Sequence, residues 1–284
     1  MALSILTNTA SLNAQRNLSS TGKALSSNFA KLSTGQRINT AGDDAAGLAI
    51  SERMKSQIRS LSQAERNSND GISLLQTAEG AMNENSGILI RMRELSMQSA
   101  NGTLGSSERG ALQTEFTQLT DEIDRISSVT EFNGQKLLDG TTAAVEFQVG
   151  IGNDANDRIK ADLVGMSKSA YGKTADDAGL DLTTLDITTA AGAQSALETI
   201  DKAIASTSSS RAQLGATQNR LQVTVSNLQS ANNNLSSANS RIRDVDVAEE
   251  SAAMTRNNIL SQAGMAVLSQ ANQLPQQALS LLRG

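Results

Sequence analysis

A seven-residue apolar repeat near the C-terminus constrains the fold of this 284-residue chain more than any other feature. Large aliphatic side chains recur every seven residues between positions 200 and 242, and only Thr207 interrupts the series. The repeat consists of Ile200, Leu214, Leu221, Leu228, Leu235 and Ile242. Such a period places the apolar side chains along one seam of a helix, and the seam needs a partner helix to cover it. The repeat therefore predicts a long helix over 195–242 that packs against other helices.

The first 130 residues also carry helical spacing. Apolar residues three and four positions apart predict one helix that ends at Gly35 and a second that runs to about residue 100. A third helix is predicted after the break at 101–105, and a last one near the C-terminus. Long uninterrupted helices would explain why Pro275 is the sole proline, where average usage would give about fourteen.

The middle of the chain has a different pattern. Val145, Phe147 and Val149 alternate with polar residues or glycine, and a second alternating run follows at 159–163. Alternation with a period of two is typical of half-buried strands. The sequence thus predicts a mainly α fold with a small β-hairpin region at 145–163.

Composition disfavours an enzyme. The chain contains no cysteine and no histidine, which excludes thiol nucleophiles, disulfides, Cys/His zinc sites and imidazole acid–base chemistry. Gly150 and Gly152 lack the third glycine of a nucleotide-binding loop, and Asp154 and Asp157 match no calcium-loop pattern. We therefore predict no catalytic residues, no cofactor and no metal site.

Charge is divided unevenly along the chain. Segments 1–42 and 251–284 contain four and two basic residues and no acid, whereas 43–250 contains 18 basic and 29 acidic residues, a net charge of −11. Because the two ends carry the same sign, any pairing between them must depend on apolar burial. An acidic body with few aromatic residues disfavours a nucleic-acid partner.

The amphipathic, mildly cationic ends could instead lie on a membrane surface. Their polar faces hold few cations and the chain has no tryptophan, so burial against partner helices is the better interpretation. No segment has the eighteen or so apolar residues of a membrane span, and the N-terminus lacks the features of a cleaved signal peptide.

Several blocks of the sequence resemble the bacterial flagellins. They cover about 1–140 and 195–284, in the family's order. The clearest blocks are 32–50 (LSTGQRINTAGDDAAGLAI), 91–101 (RMRELSMQSAN), 240–246 (SRIRDVD), 270–276 (QANQLPQ) and 279–283 (LSLLR).

The resemblance implies an antiparallel helical coiled coil or bundle built from the two terminal segments. Its inner domain, D0, would pair 1–42 with 243–284, and its shell domain, D1, would contain 43–140 and 195–242 with a short variable region at 141–194. The repeat from Ile200 to Ile242 would line the D1 core. Packing in the D0 coiled coil would involve Leu3, Leu6, Leu18, Leu25, Phe29, Leu32, Ile259, Val267, Leu274 and Leu281.

The function implied by the resemblance is that of a structural subunit. Copies of the chain would assemble head to tail into the extracellular flagellar filament that drives swimming, after export through a type III channel without a cleaved signal. The alternative within the same family is the hook–filament junction protein.

The resemblance also implies partners other than the chain itself. They are an export chaperone, the filament cap, the junction proteins and, in a host, the Toll-like receptor for flagellin. The receptor patch would comprise Arg91, Leu95 and Glu115, and the chaperone and cytosolic immune sensors would recognise Leu279, Leu281 and Leu282.

Overall fold

The computed structural model describes residues 7–173 and 179–283, and for 274–283 it describes only the helical backbone. Leu3 and Leu6 therefore lie outside the described residues, as do the side chains of Leu274 and of the three leucines at 279, 281 and 282. The described chain is mainly helical with two small antiparallel strand pairs, which confirms the predicted fold class.

The described elements follow the predicted order. The helices are α1 (Thr9–Thr34), α2 (Ala45–Ser99), α3 (Ser106–Val129), α4 (Ala190–Arg243) and α5 (Val247–Arg283), and the strands are β1 (Glu131–Phe132), β2 (Gln135–Lys136), β3 (Ala144–Gln148) and β4 (Arg158–Asp162).

Local chemistry explains where the first two helices end and begin. Gly35 closes α1 in the left-handed conformation, at a φ of 69° that glycine tolerates better than other residues. The Asp44 carboxylate accepts a 2.8 Å hydrogen bond from the Gly47 amide, and α2 then continues for 55 residues without a proline.

The predicted hairpin is confirmed. Strands β3 and β4 are antiparallel, and Val145 pairs with Ala161 while Phe147 pairs with Ile159. Phe147 and Ile159 are buried, so one face of the hairpin packs on the helices and the other faces solvent.

Contacts divide the chain into two compact units. The central unit is Arg59–Asn232, and the terminal unit joins Met1–Ile58 to Asn233–Gly284.

The central unit contains the main hydrophobic core. Leu75, Met82 and Leu89 of α2 are fully buried there, together with Ile123 of α3 and Leu214 of α4. Of the repeat that first indicated a helix, Ile200, Leu214, Leu221 and Leu228 are buried in this unit. Leu235 and Ile242 belong to the terminal unit and are half-buried.

A glycine brings the hairpin close to α2. A Cβ atom placed on Gly71 would lie 2.9 Å from the Phe147 ring, nearer than side-chain carbons approach in proteins. The close packing of the two elements therefore depends on the missing side chain.

In the terminal unit α1 packs antiparallel to α5, since Asn8 near the start of α1 bonds the Ala271 carbonyl late in α5. The connectors before α2 and after α4 also pair. The Arg37 amide donates to the Arg243 carbonyl at 2.6 Å, and the Val245 amide donates to the Gly35 carbonyl at 3.1 Å. The Arg243 guanidinium adds a 2.6 Å ion pair with Glu52.

Candidate assembly interface

The α1–α5 pair is joined along one seam with coiled-coil spacing. Less exposed residues alternate at steps of three and four on both helices, the spacing at which side chains share one helix face. The seam of α1 comprises Ser11, Ala14, Leu18, Thr21, Leu25, Asn28 and Leu32, and that of α5 comprises Glu250, Met254, Asn257, Ser261, Gly264, Leu268 and Ala271. Half or more of these residues are small or polar, so the seam buries little apolar area.

A polar layer lies within this seam. Asn28 is 7% exposed, donates a 2.6 Å hydrogen bond to the Glu250 carboxylate and accepts a 2.9 Å hydrogen bond from Asn257. Lys31 adds a weaker contact to Glu250 at 3.9 Å. A buried asparagine in a coiled-coil seam fixes register while it lowers stability, because only one alignment satisfies its amide. Sequence patterns do not predict this layer, because its polar residues lack the apolar periodicity that marks a coiled-coil seam.

Large apolar side chains remain exposed on both helices of the pair. Among the described residues they are Leu12 and Phe29 on α1, and Val247, Ile259, Leu260, Met265 and Val267 on α5, each between 45% and 61% exposed. Isolated exposed apolar residues are ordinary, but seven on one helical pair indicate a surface that another protein covers.

The predicted packing residues fall into two groups. Leu18, Leu25 and Leu32 lie in the seam. Phe29 and Ile259 lie outside the seam: Asn28 takes the seam position beside Phe29, and Asn257 and Ser261 are the seam residues on either side of Ile259. Val267 is 57% exposed beside Leu268, which takes the seam position. The seven-residue spacing of the α1 leucines is the signal that identifies the correct seam.

The predicted receptor patch lies in the central unit. Arg91 donates hydrogen bonds of 3.0 and 2.8 Å to Glu115 on α3 and one of 3.0 Å to Glu94. These hydrogen bonds, chiefly those to Glu115, raise the pKa of the Arg91 guanidinium, which therefore stays charged. Half of the Arg91 side chain and 44% of that of Glu115 are exposed.

Leu95, the third residue of the predicted patch, is buried in the folded central unit. Its side chain is 1% exposed and packs in the core, because it lies three residues after the buried Met92 on the same face of α2. The surface of the folded central unit therefore presents Arg91 and Glu115, whereas Leu95 packs in the hydrophobic core.

Two absences among the described residues concern metal binding and membrane insertion. No group of three or more acidic, histidine or cysteine side chains there is arranged to hold a metal ion. None of the described helices combines the length and the apolar character needed to span a bilayer.

Two family models match the chain. The bacterial flagellin N-terminal helical region matches residues 5–143, and the bacterial flagellin C-terminal helical region matches residues 197–282. The unmatched stretch between them, 144–196, contains both strands of the hairpin, β3 and β4, and the first residues of α4.

Similar proteins span nearly the whole chain. A flagellin of Halalkalibacterium halodurans is 51% identical over 97% of this chain and 98% of that protein. A flagellar filament 33 kDa core protein of Treponema phagedenis is 45% identical over the same shares. A solved structure of a Vibrio parahaemolyticus protein described as a putative flagellar hook-associated protein has a TM-score of 0.60 at 16% identity, covering 71% of this chain and all of that one, which supports the fold alone.

Proposed function

Because the chain belongs to the bacterial flagellin family, we propose that it is a structural subunit of the flagellar filament used for swimming. Copies of the chain join head to tail into an open helical polymer. The observation that carries the proposal is the set of seven large apolar side chains exposed on α1 and α5. A single chain leaves them in water, and neighbouring copies would bury them.

The seam of the α1–α5 pair supports assembly-coupled folding of the terminal helices. Its small and polar residues give the isolated pair little hydrophobic stabilisation, since burial contributes roughly 25 cal/mol for each Å² of apolar area. Covering the exposed apolar side chains would add the missing stabilisation. The terminal helices would thus become fully ordered as the subunit docks.

Two domains follow from the proposed role. D0 would comprise 1–42 with 243–284, and D1 would comprise 43–140 and 195–242 with the variable region 141–194. The connectors at 35–44 and 244–246, which bond to each other through Arg37 and Val245, support borders near residues 42 and 243.

Seeded growth tests the proposal. Purified chain is dissociated by heat, cooled with short filament fragments as seeds, and imaged by electron microscopy. We expect tubular filaments to elongate from the seeds, and amorphous or absent growth would contradict the proposed role.

A truncated chain provides the matched control. Deletion of 251–284 removes most of α5 but leaves the hydrophobic cluster of the central unit intact, because all of that cluster lies within Arg59–Asn232. We expect the truncated chain to form no filaments while Tyr171 remains in its buried environment. Filaments grown from the truncated chain would refute an assembly role for α5.

The junction protein is the competing function within the family. The names of the two relatives described above, a flagellin and a filament core protein, support the filament. Copy number separates the two, because a filament protein greatly outnumbers the hook protein in isolated flagella whereas a junction protein does not.

The extracellular location and the accessory partners rest on the same family membership. We infer that the chain is exported without a cleaved signal and that an export chaperone recognises the segment with Leu279, Leu281 and Leu282. The filament cap and the junction proteins would contact the assembled polymer.

A host receptor would contact the exposed Arg91–Glu115 pair. We expect Arg91→Ala to reduce activation of cells that carry the Toll-like receptor for flagellin. Arg93→Ala is the control, because Arg93 lies two residues away and forms its 2.6 Å ion pair with Asp201 on α4 instead. Equal activation by the two variants would exclude the Arg91 patch.

A further inference from the structure

The two flanks of the α1–α5 seam present different surfaces. Seam positions are of two kinds: a first position is followed by the next seam residue three residues later, and a second position is followed by the next one four residues later. Because a helix turns about 100° per residue, the residue just before a first position and the residue just after a second position lie on opposite sides of the seam. Asn17 precedes Leu18, and Phe29 follows Asn28. On α5, Leu260 and Val267 precede seam residues in the way that Asn17 does, and Met265 follows one. In an antiparallel pair the like positions of the two helices face each other, which gives one flank with Asn17, Leu260 and Val267 and another with Phe29 and Met265.

The first flank holds an uncharged groove. Its volume is about 430 Å³, its walls include Leu260 and Val267, and Ala14, Leu18 and Gly264 lie at its base. Gly264 has no side chain to fill the space, and a Cβ atom there would lie 3.5 Å from Leu18. No residue that lines the groove is ionisable.

The second flank presents an aromatic knob. Phe29 is 56% exposed, and it is the only aromatic residue of the terminal unit. Aromatic side chains bury about 150–250 Å² each and commonly anchor interfaces between proteins.

We propose that Phe29 of one copy inserts into the groove formed by Ala14, Leu18, Leu260, Gly264 and Val267 of the next copy. The proposal rests on the proposed filament function and specifies one contact within it. Phe29 cannot reach the groove of its own chain, because it lies on the other flank and about 12 Å along α1 beyond Thr21, the last α1 residue of the groove.

Symmetry and charge both favour a second copy as the occupant. A contact between two different surfaces of one molecule is heterologous, and it propagates into an open polymer rather than closing as a dimer. The cations of α1 nearest the groove and the knob are Arg16, Lys23 and Lys31, of which Lys31 already lies 3.9 Å from the Glu250 carboxylate. An acidic partner would be attracted to those cations but would leave the uncharged groove unfilled.

Disulfide trapping tests the contact, since the chain has no cysteine of its own. A disulfide requires Cα atoms within about 7 Å. The test variant combines Phe29→Cys with Leu260→Cys. The control combines Phe29→Cys with Ile259→Cys, because Ile259 is adjacent in sequence and similarly exposed, at 60% against 50%, but points away from the groove. Filaments of each variant are oxidised and dissolved without reductant.

We expect a ladder of covalent trimers and larger products from the test variant, and mostly monomer from the control. A ladder requires each copy to be linked on both flanks. Dimers alone would indicate an isologous contact and would overturn the proposal. Filaments that assemble without forming cross-links would overturn it as well.

Growth of wild-type seeds provides a second, independent measurement. Loss of a buried aromatic side chain predicts that Phe29→Ala raises the critical subunit concentration about ten- to hundredfold, whereas Phe29→Leu restores most of the growth. If the critical concentration of Phe29→Ala equals that of the wild type, the contact is refuted, even if the cysteine variants do not assemble. Failure of the wild-type chain to elongate seeds would instead refute the filament function itself.

Discussion

Asn85 is fully buried in α2, one turn from the equally buried Met82 and Leu89. Neither its amide nitrogen nor its amide oxygen has a hydrogen-bond partner among the residues that the structure describes. Leaving a buried polar group unsatisfied costs about 1–3 kcal/mol. Leucine has the same number of side-chain heavy atoms and the same branching, so among apolar residues it comes closest to the asparagine side chain in shape. We therefore expect Asn85→Leu to raise the free energy of unfolding of the central unit by about 1–3 kcal/mol.

The gain corresponds to an increase in Tm of about 2–12 °C for a unit of this size. Fluorescence of Tyr171 provides the assay, because Tyr171 is the only tyrosine and is fully buried in the central unit. The chain contains no tryptophan whose emission would mask it. Urea unfolding followed at this residue should show a higher midpoint and an unchanged slope.

Asn83→Leu is the matched control for this experiment. Asn83 lies two residues away on the exposed face of the same helix, so its replacement should change stability by less than about 0.5 kcal/mol. A midpoint for Asn85→Leu at or below that of the wild type would refute the reasoning, since it would mean that the amide is satisfied in solution.

Further predictions concern the packing of the hairpin and the single tyrosine. Gly71→Ala should destabilise the central unit by about 1–3 kcal/mol in thermal unfolding, because the new methyl group meets the Phe147 ring. Gly80→Ala, at an open position of the same helix, should instead stabilise it by about 0.5–1 kcal/mol, and equal effects of the two changes would contradict the close contact. Burial raises the pKa of Tyr171 from 10.0 to about 12. The folded state thus disfavours the phenolate, so the resulting stabilisation is complete below pH 10 and is lost as the pH rises from 10 to about 12. Absorbance at 295 nm should show no tyrosinate in folded protein at pH 10.5, and Tyr171→Phe should remove this part of the alkaline destabilisation.

Much of the fold could be predicted from local patterns. The seven-residue spacing from Ile200 to Leu228 specified both a helix and its buried face, because helical periodicity depends only on sequence separation. The alternation around Phe147 predicted a hairpin for the same reason, whereas its register, with Phe147 opposite Ile159, is known only from the structure.

The candidate interface was less accessible from sequence. An apolar stripe on α5 can be drawn through Ile259 or through Met254 and Leu268. The stripe through Ile259 contains more apolar residues, so the sequence favours it. The structure selects the second, because the polar contacts among Asn28, Glu250 and Asn257 and the close approach at Gly264 require residues from both ends of the chain at once.

The sequence by itself determined the types of elements, their approximate limits and the cationic, acid-free character of the two ends. Those properties arise from backbone propensity, periodicity and composition, which are local. Only the tertiary structure decided which face of α5 meets α1, that Leu95 is buried, and that Phe29 and a groove lie on opposite flanks of one seam. Those properties depend on the rotational phase of two helices more than 200 residues apart, and that phase is set by their packing against each other.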